Sequence, residues 1–305
     1  MKIRSKKNKK LLLLLISLCI AAGIGFSVLD RYGIVSVEDA FKRSSKNAAQ
    51  NVSGTLYMHV IDVGQADSIL FTVNGQSMLI DAGNNDDDKI VLKYLDEQGI
   101  KKLDYLVGTH PHEDHIGGLD SVILEKDIGK IYMPKVQDSV IPTTKTYEDV
   151  LKAVSSKGYK ISTAKAGVSF DFGGASVDII SPIKDYTDLN NYSAVLKITF
   201  GDTVFLMMGD AEEKAEKDIL QSGADVRANV LKTGHHGSNT STGEAFFKAV
   251  SPEYAIICCG RENSYGHPGS KTLDRLKKSG ITYKRTDTDG TFVIKSDSKT
   301  VSIEE

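Results

Sequence analysis

The chain has 305 residues, 40% of them hydrophobic and 26% charged, with a formal net charge of −2. These proportions exclude a mainly disordered, collagenous or many-spanning membrane protein and leave room for one large α/β body. Three cysteines are too few for a disulfide framework, and Cys258 and Cys259 are adjacent inside an apolar run that reads as a buried strand.

The first ten residues hold Lys2, Arg4, Lys6, Lys7, Lys9 and Lys10 and no acid, leaving 32 basic residues against 40 acidic ones, a net of −8. A body of that sign is not a general nucleic-acid binder. Any polyanion must be met there by local positive charge or by metal ions. The basic cluster precedes residues 11–29, nineteen residues without a charge. That length suits a retained membrane anchor of roughly 17–25 residues better than the roughly 7–15-residue core of a cleaved signal, for which Ala21-Ala22-Gly23 offers a cutting point. Both readings export the rest of the chain, because the lysine-rich flank stays in the cytoplasm. The expected location is thus the cell membrane with an extracellular domain, or the medium if the segment is cleaved. Residues 30–55 turn polar, as in Arg43-Ser44-Ser45-Lys46-Asn47, and read as a linker.

From residue 56 onward, strand and helix patterns alternate. Strands are predicted over 57–62, 68–73 and 77–81, with Asn74-Gly75 as the hairpin turn between the last two. Ile90, Val91, Tyr94 and Leu95 have helical spacing, with Gly99 as the stop. A strand over 103–109 runs into a histidine cluster. Further helices are predicted over 147–156, 212–221 and 271–279, and strands over 176–180, 194–200, 203–208, 226–232 and 254–258. One internal echo stands out. The hairpin 68–83 ends in Leu79-Ile80-Asp81-Ala82-Gly83, and the hairpin 194–210 ends in Met207-Met208-Gly209-Asp210. Each places a carboxylate just past a buried strand, as in two similar halves packed with their polar ends at one rim.

Thr109-His110-Pro111-His112-Glu113-Asp114-His115-Ile116-Gly117-Gly118 concentrates three of the seven histidines and an aspartate directly after a strand. Neutral imidazoles with a carboxylate are the donors that hold zinc and similar metals. His110 and His112, two apart in an extended turn, can converge on one ion. Asp114 and His115 begin the next helix and point to a second. Asp210 can bridge two ions through both its oxygens, and His235 supplies another imidazole at a strand end. Asp81 can accept a hydrogen bond from a ligand imidazole and so orient it.

The order Ile80-Asp81-Ala82-Gly83, His110-x-His112-x-Asp114-His115, Gly209-Asp210 and His235 resembles the metallo-β-lactamase fold superfamily. More narrowly, 61–67 (Ile-Asp-Val-Gly-Gln-Ala-Asp), 191–196 (Asn-Tyr-Ser-Ala-Val-Leu), 231–238 (Leu-Lys-Thr-Gly-His-His-Gly-Ser) and 265–268 (Tyr-Gly-His-Pro) resemble the carboxy-terminal hydrolase domain of ComEC-type DNA-uptake proteins. The resemblance covers residues 56–305. It implies a four-layer αββα sandwich of the α/β (α+β) class, with two divalent metal ions, Zn²⁺ or Mn²⁺, at the edge between its sheets. Most dinuclear members carry a further histidine that this chain lacks, since no histidine lies between His115 and His235. Asn190-Asn191-Tyr192-Ser193 occupies the matching region. The first ion is then expected on His110, His112 and Asp210, completed by Asn191 or water, and the second on Asp114, His115, His235 and the shared Asp210. An oxygen-richer first set makes manganese a rival to zinc.

The reaction this implies is attack on a phosphodiester by hydroxide held between the two ions, with DNA the favoured substrate. Asp114, His236 and His267 are the candidate catalytic contacts. Asp62, Gln65 and Asp67 are expected to shape the adjoining loop. Hydrolysis of cell-surface phosphodiesters such as phosphorylcholine on teichoic acid is the rival enzymatic reading, and non-catalytic holding of DNA for a separate channel is the third. A single apolar segment leaves no multi-span channel to be expected in this chain. If residues 11–29 stay uncleaved, the full-length protein fractionates with membranes and is shaved by external protease; a mature form beginning near Ser27 in the medium removes the anchor.

Overall fold

Asn74 and Gly75 take φ values of 48° and 79°, the paired positive angles of a tight hairpin turn whose twist matches its strands. They close β2 (Ile69–Val73) on β3 (Gln76–Ile80) with Val73 opposite Gln76 and Ile69 opposite Ile80. This hairpin lies within the first of two sheets in a computed structural model that describes residues 53–304. The apolar segment 11–29 and nearly all of the linker lie outside the described residues. Among the described residues, no helix is long and apolar enough to cross a membrane.

The first sheet runs β15 (Val301–Ile303), β14 (Phe292–Ser296), β1 (Leu56–Val60), β2, β3, β4 (Lys102–Val107), β5 (Asp127–Met133) and β6 (Ile161–Thr163). The second runs β13 (Thr282–Arg285), β12 (Tyr254–Ile257), β11 (Val230–Lys232), β10 (Thr203–Met207), β9 (Val195–Phe200), β8 (Ala175–Ser181) and β7 (Val168–Phe172). In both, an antiparallel hairpin is followed by parallel strands: β2 and β3 then β4, and β9 and β10 then β11. The echo seen in the sequence is therefore an architectural one.

The sheets pack face to face over a core that takes alternate residues from each strand. Ile69, Phe71 and Val73 enter it from β2, and Ile198, Phe200, Phe205 and Met207 from β9 and β10. Phe71 meets Phe205 edge to face with centroids 5.8 Å apart. Many of the intervening residues, such as Leu70, Val195 and Leu206, are apolar too, because helices cover each outer face. Leu70, Leu79 and Leu106 pack under α1 (Asp88–Glu97), α2 (Glu113–Ile116), α3 (Leu119–Glu125) and α4 (Lys145–Ser156). Leu206, Leu231 and Ile257 pack under α5 (Glu213–Gln221), α6 (Glu244–Val250) and α7 (Ser270–Ser279). A short α8 (Thr286–Asp289) precedes β14. The expected four-layer αββα sandwich is the observed fold.

Element boundaries differ from expectation where side chains intervene. α4 starts two residues early because the Thr144 hydroxyl accepts from Tyr147 N–H and caps it. The strand predicted over 226–232 begins only at Val230. The Asn229 side chain accepts from Val204 N–H at 2.8 Å and takes the place of a ladder carbonyl.

Backbone contact is tightest where α2 crosses the turn after β3. Gly117 N–H donates to the Gly83 carbonyl at 2.9 Å. A Cβ on Gly117 would lie 2.2 Å from the Asn84 carbonyl carbon and 2.3 Å from Asn85 N. Alanine is the better helix former by about 1 kcal/mol, yet this clash is with backbone and has no side chain to yield. Gly117→Ala is expected to lower the melting temperature by roughly 3–10 °C, from overpacking of about 1–3 kcal/mol. An unchanged transition in scanning calorimetry would show that the turn gives way freely.

Candidate metal centre

The carboxyl ends of β3, β4, β10, β11 and β12 open onto one rim, together with the loops before β2 and β9. Asp81, just past β3, sits in the left-handed region at φ 60°. Its Oδ1 accepts Thr109 N–H at 2.7 Å, and its Oδ2 accepts the Thr109 hydroxyl at 2.7 Å and His115 Nδ1 at 2.8 Å. This fixes the tautomer of His115 and turns its Nε2 inward. There it stands 3.2 Å from Asp210 Oδ1 and 3.8 Å from Asp114 Oδ2.

The two histidines after β11 occupy consecutive left-handed positions, φ 47° for His235 and 51° for His236. Such non-glycine conformations cost on the order of 1–3 kcal/mol each and cluster at functional sites. They send the neighbouring rings different ways. His236 is buried, donates Nδ1–H to the Cys258 carbonyl at 2.9 Å, and aims Nε2 at Asp114 Oδ2 at 3.1 Å and Asp210 Oδ2 at 3.6 Å. His235 is partly exposed. Its Nδ1 lies 3.0 Å from Glu212 Oε1 and its Nε2 3.7 Å from Asp210 Oδ2.

Asp114, His115, Asp210 and His236 thus bring four ligand atoms within 4.8 Å of one another. Buried His115 Nε2 and Asp210 Oδ1 have no hydrogen-bond partner among the described residues. Unpartnered imidazole and carboxylate atoms facing one point fit a divalent cation. On the other side of Asp210, His110 Nε2 is 3.0 Å from His112 Nδ1 and 3.9 Å from Asp210 Oδ2. Burial, and then His115, hold His110 well below the usual imidazole range, and burial lowers His112. Both are the neutral form that a metal requires. Neither His110 nor His112 belongs to the four-atom cluster.

Burial opposes charge on Asp210 and Asp114, but the adjacent His115 and His236 outweigh it and keep both carboxylates ionised. His236 is in turn pushed up to about 10: burial lowers it, and Asp210, Asp67 and Asp114 more than reverse that. Beneath the centre, Lys232 Nζ meets Asp67 Oδ2 at 2.5 Å and Asp67 Oδ1 lies 3.2 Å from His236 Nδ1, all buried. Asp67 falls to about 2 because Lys232 and His236 overcome the effect of burial.

Several sequence expectations are revised by this geometry. His236, expected as a catalytic contact, is the imidazole turned into the cluster with Asp114, His115 and Asp210. His235, assigned to that cluster, stands at its outer edge, because the turn at 234–237 gives the two rings separate directions. Asn191 is not aimed at the ligand cluster. Its Oδ1 accepts from Glu212 and Ala215 N–H at 3.3 and 2.9 Å, capping the start of α5, and its Nδ2 donates to Asp188. The neighbouring Asn190 lines the cavity instead and leaves its buried Oδ1 without a partner among the described residues. Asp62 shapes its own turn by accepting Gly64 N–H, as expected, and lies away from the cavity. Asp67 does more than shape a loop, being the buried partner of Lys232.

His267 faces the cavity, but burial, His235 and His236 lower it to about 4, so it is neutral rather than an acid. Gln65, whose Oε1 accepts Gly260 N–H at 2.9 Å, places its Nε2 3.3 Å from His267 Nδ1. Glu212, Asn190 and Lys232 were missed as site neighbours. Lys232, inside the 231–238 motif, and Asn190, inside 190–193, carried a signal, and Glu212 carried none. Replacing His236 by alanine is expected to lower metal content by about one ion per chain, whereas His235→Ala weakens binding about 10–100-fold without abolishing it, as for groups that support a ligand. Metal analysis after dialysis that gives the opposite order would return the ligand position to His235.

The Metallo-beta-lactamase superfamily matches residues 61–261. The chain is 32% identical over 252 residues to ComE operon protein 3 of Bacillus subtilis (strain 168), covering 76% of this chain and 32% of that protein. It is 31% identical over 234 residues to Competence protein ComA of Neisseria gonorrhoeae, covering 76% of this chain and 31% of that one. The chain therefore spans about a third of the length of these curated relatives. Among solved structures, the metallo-beta-lactamase fold protein YhfI from Bacillus subtilis superposes with a TM-score of 0.52 at 14% identity, over 80% of this chain and all of that one. With its two helix-flanked sheets and its ligand clusters at their common rim, the chain belongs to the Metallo-beta-lactamase superfamily of hydrolases, and ComEC-type competence proteins are among its homologues.

Proposed function

We propose that this chain hydrolyses phosphodiester bonds of DNA at a pair of divalent cations, Zn²⁺ or Mn²⁺, on the outer side of the membrane that residues 11–29 span. The observation that carries the reading is the position of Asp210. One of its oxygens faces His115 at 3.2 Å, and the other lies 3.9 Å from His110, 3.6 Å from His236 and 3.7 Å from His235. Imidazoles approach both of its oxygens, an arrangement that suits a carboxylate shared by two cations. Cations held there would supply Lewis-acid stabilisation of a phosphoryl oxygen and acidify a water molecule.

The chain's own residues do the rest. Asp81 and the Cys258 carbonyl engage Nδ1 of His115 and His236, so that Nε2 is the atom each would present to a cation. Gln65 donates to His267 Nδ1, which leaves the proton on Nε2. At neutral pH His267 is thus a neutral hydrogen-bond donor that can orient a phosphate oxygen, not the acid that protonates a leaving group. The cavity of about 330 Å³ is polar and open to solvent, lined by Gln65, His112, Asn190, His235 and His267 among others. A long anionic strand can cross such an opening, whereas a closed apolar pocket would admit only a small ligand. Similarity to competence proteins favours DNA over other phosphodiesters.

With metal-loaded protein acting on bis-p-nitrophenyl phosphate and on single- and double-stranded DNA, Asp210→Ala is expected to abolish hydrolysis and to lose paired metal. Asp81→Ala removes a group that only orients His115 and is expected to retain activity about 10–100-fold below wild type. Equal losses, with two metals kept in Asp210→Ala, would show that Asp210 is not the bridge. Release of phosphorylcholine from teichoic acid with DNA left intact would move the substrate to the cell wall. Binding of DNA without cleavage would make the chain a holder of DNA.

A further inference from the structure

We infer that Tyr265 is a stacking platform for a nucleobase of the strand whose phosphate lies in the metal centre; this deepens the phosphodiesterase reading above and rests on it. The chain has twelve tyrosines, and the fold gives Tyr57, Tyr132, Tyr192, Tyr254 and Tyr265 very different exposures. Tyr132 and Tyr192 are buried, and Tyr57 and Tyr254 are half-buried in strands. Tyr265 is 72% exposed, while the other exposed large apolar side chains among the described residues reach at most 48%. It is also the one of these that lines the metal cavity. Isolated apolar residues on a surface need no explanation. An aromatic ring left in water beside a hydrolytic centre, when its chemistry favours burial, does.

Its orientation supports the assignment. The Tyr265 ring lies 22° from parallel with His267 at 5.8 Å between centroids, and His267 lies 25° from parallel with His236 at 6.1 Å. Three rings of similar tilt therefore step from the ligand imidazole out to solvent. The last of them is held there by its loop rather than by packing. Asn263 Oδ1 accepts from Tyr265 N–H at 3.2 Å and from His267 N–H at 3.0 Å, while its Nδ2 donates to the Gly260 and His267 carbonyls at 2.9 and 2.5 Å. A group facing the phosphate and an aromatic face are thereby fixed two residues apart on one turn. Every base has a π face, so such a platform sets no sequence preference. It does require a base free of its neighbours, which favours single strands over duplexes.

The chain contains no tryptophan, so Tyr265→Trp introduces a sole indole at the platform. The full-length metal-loaded variant, kept in detergent, is titrated with a hydrolysis-resistant phosphorothioate oligothymidylate and with an abasic strand of equal length and charge. Indole emission is expected to fall saturably with the thymidylate and to stay level with the abasic strand. Tyr265→Ala is expected to weaken thymidylate binding about 5- to 150-fold and leave abasic binding unchanged, while Tyr265→Phe keeps the discrimination. Equal quenching by both strands overturns the platform, as does an equal loss of affinity for both in Tyr265→Ala. Wild-type cleavage of ordinary and abasic strands with the same kcat/KM also overturns it, and leaves the phosphodiesterase reading standing. A wild-type protein that neither binds nor cleaves either strand removes that reading and the platform together.

Discussion

The rest of the structure depends on four aspartates brought to one rim. Asp67, Asp81, Asp114 and Asp210 all stand around His115 and His236, and only Asp114 has appreciable contact with solvent. Carboxylates so placed repel one another and lose hydration, so each needs a specific positive or hydrogen-bonding partner. Lys232 answers Asp67, and the Thr109 backbone and hydroxyl answer Asp81. Asp114 and Asp210 have protonated imidazoles for partners when no cation is bound. Two divalent ions can take over from those protons with greater charge, so metal occupancy and the integrity of this rim are linked quantities.

The placement of these groups follows from the repeated half. In each sheet a hairpin turns into a parallel segment, and a carboxylate stands just past the second hairpin strand, Asp81 in one half and Asp210 in the other. The histidine-rich segments follow the next strand in each half, after β4 and after β11. The halves have diverged in task. Asp81 is enclosed by donors from its own half and orients a ligand. Asp210 faces imidazoles from both halves, and its Oδ1 has no hydrogen-bond partner among the described residues.

Much of this was legible in the sequence, for physical reasons. Strands covered on both faces are largely apolar, so β2, β3, β10 and β12 announced themselves. The hairpin showed in Asn74-Gly75 because few other pairs accept two positive φ angles. The histidine motif was legible because three imidazoles and an aspartate in six residues have few other uses. The choice between His235 and His236 was not, since it depends on two strained backbone positions and on a carbonyl from β12's end far along the chain. Asn191 was misread for a related reason: its amide caps α5, a contact visible only when residues 191 and 215 are adjacent in space. Strand β14 was overlooked because its partner is β1, more than two hundred residues earlier.

That last pairing has a consequence for how the protein is made. β1 lies between β2 and β14, with Leu56 opposite Ser296 and Val60 opposite Phe292. The first sheet cannot be completed until the chain has been delivered to residue 296, and its edge is not covered until β15 follows. Such long-range closure is slow, because the entropy of the intervening loop is lost before the contacts that reward it form. The same delay leaves the apolar strands β2 and β3 without a finished sheet for that interval, when association with another unfolded chain competes with folding.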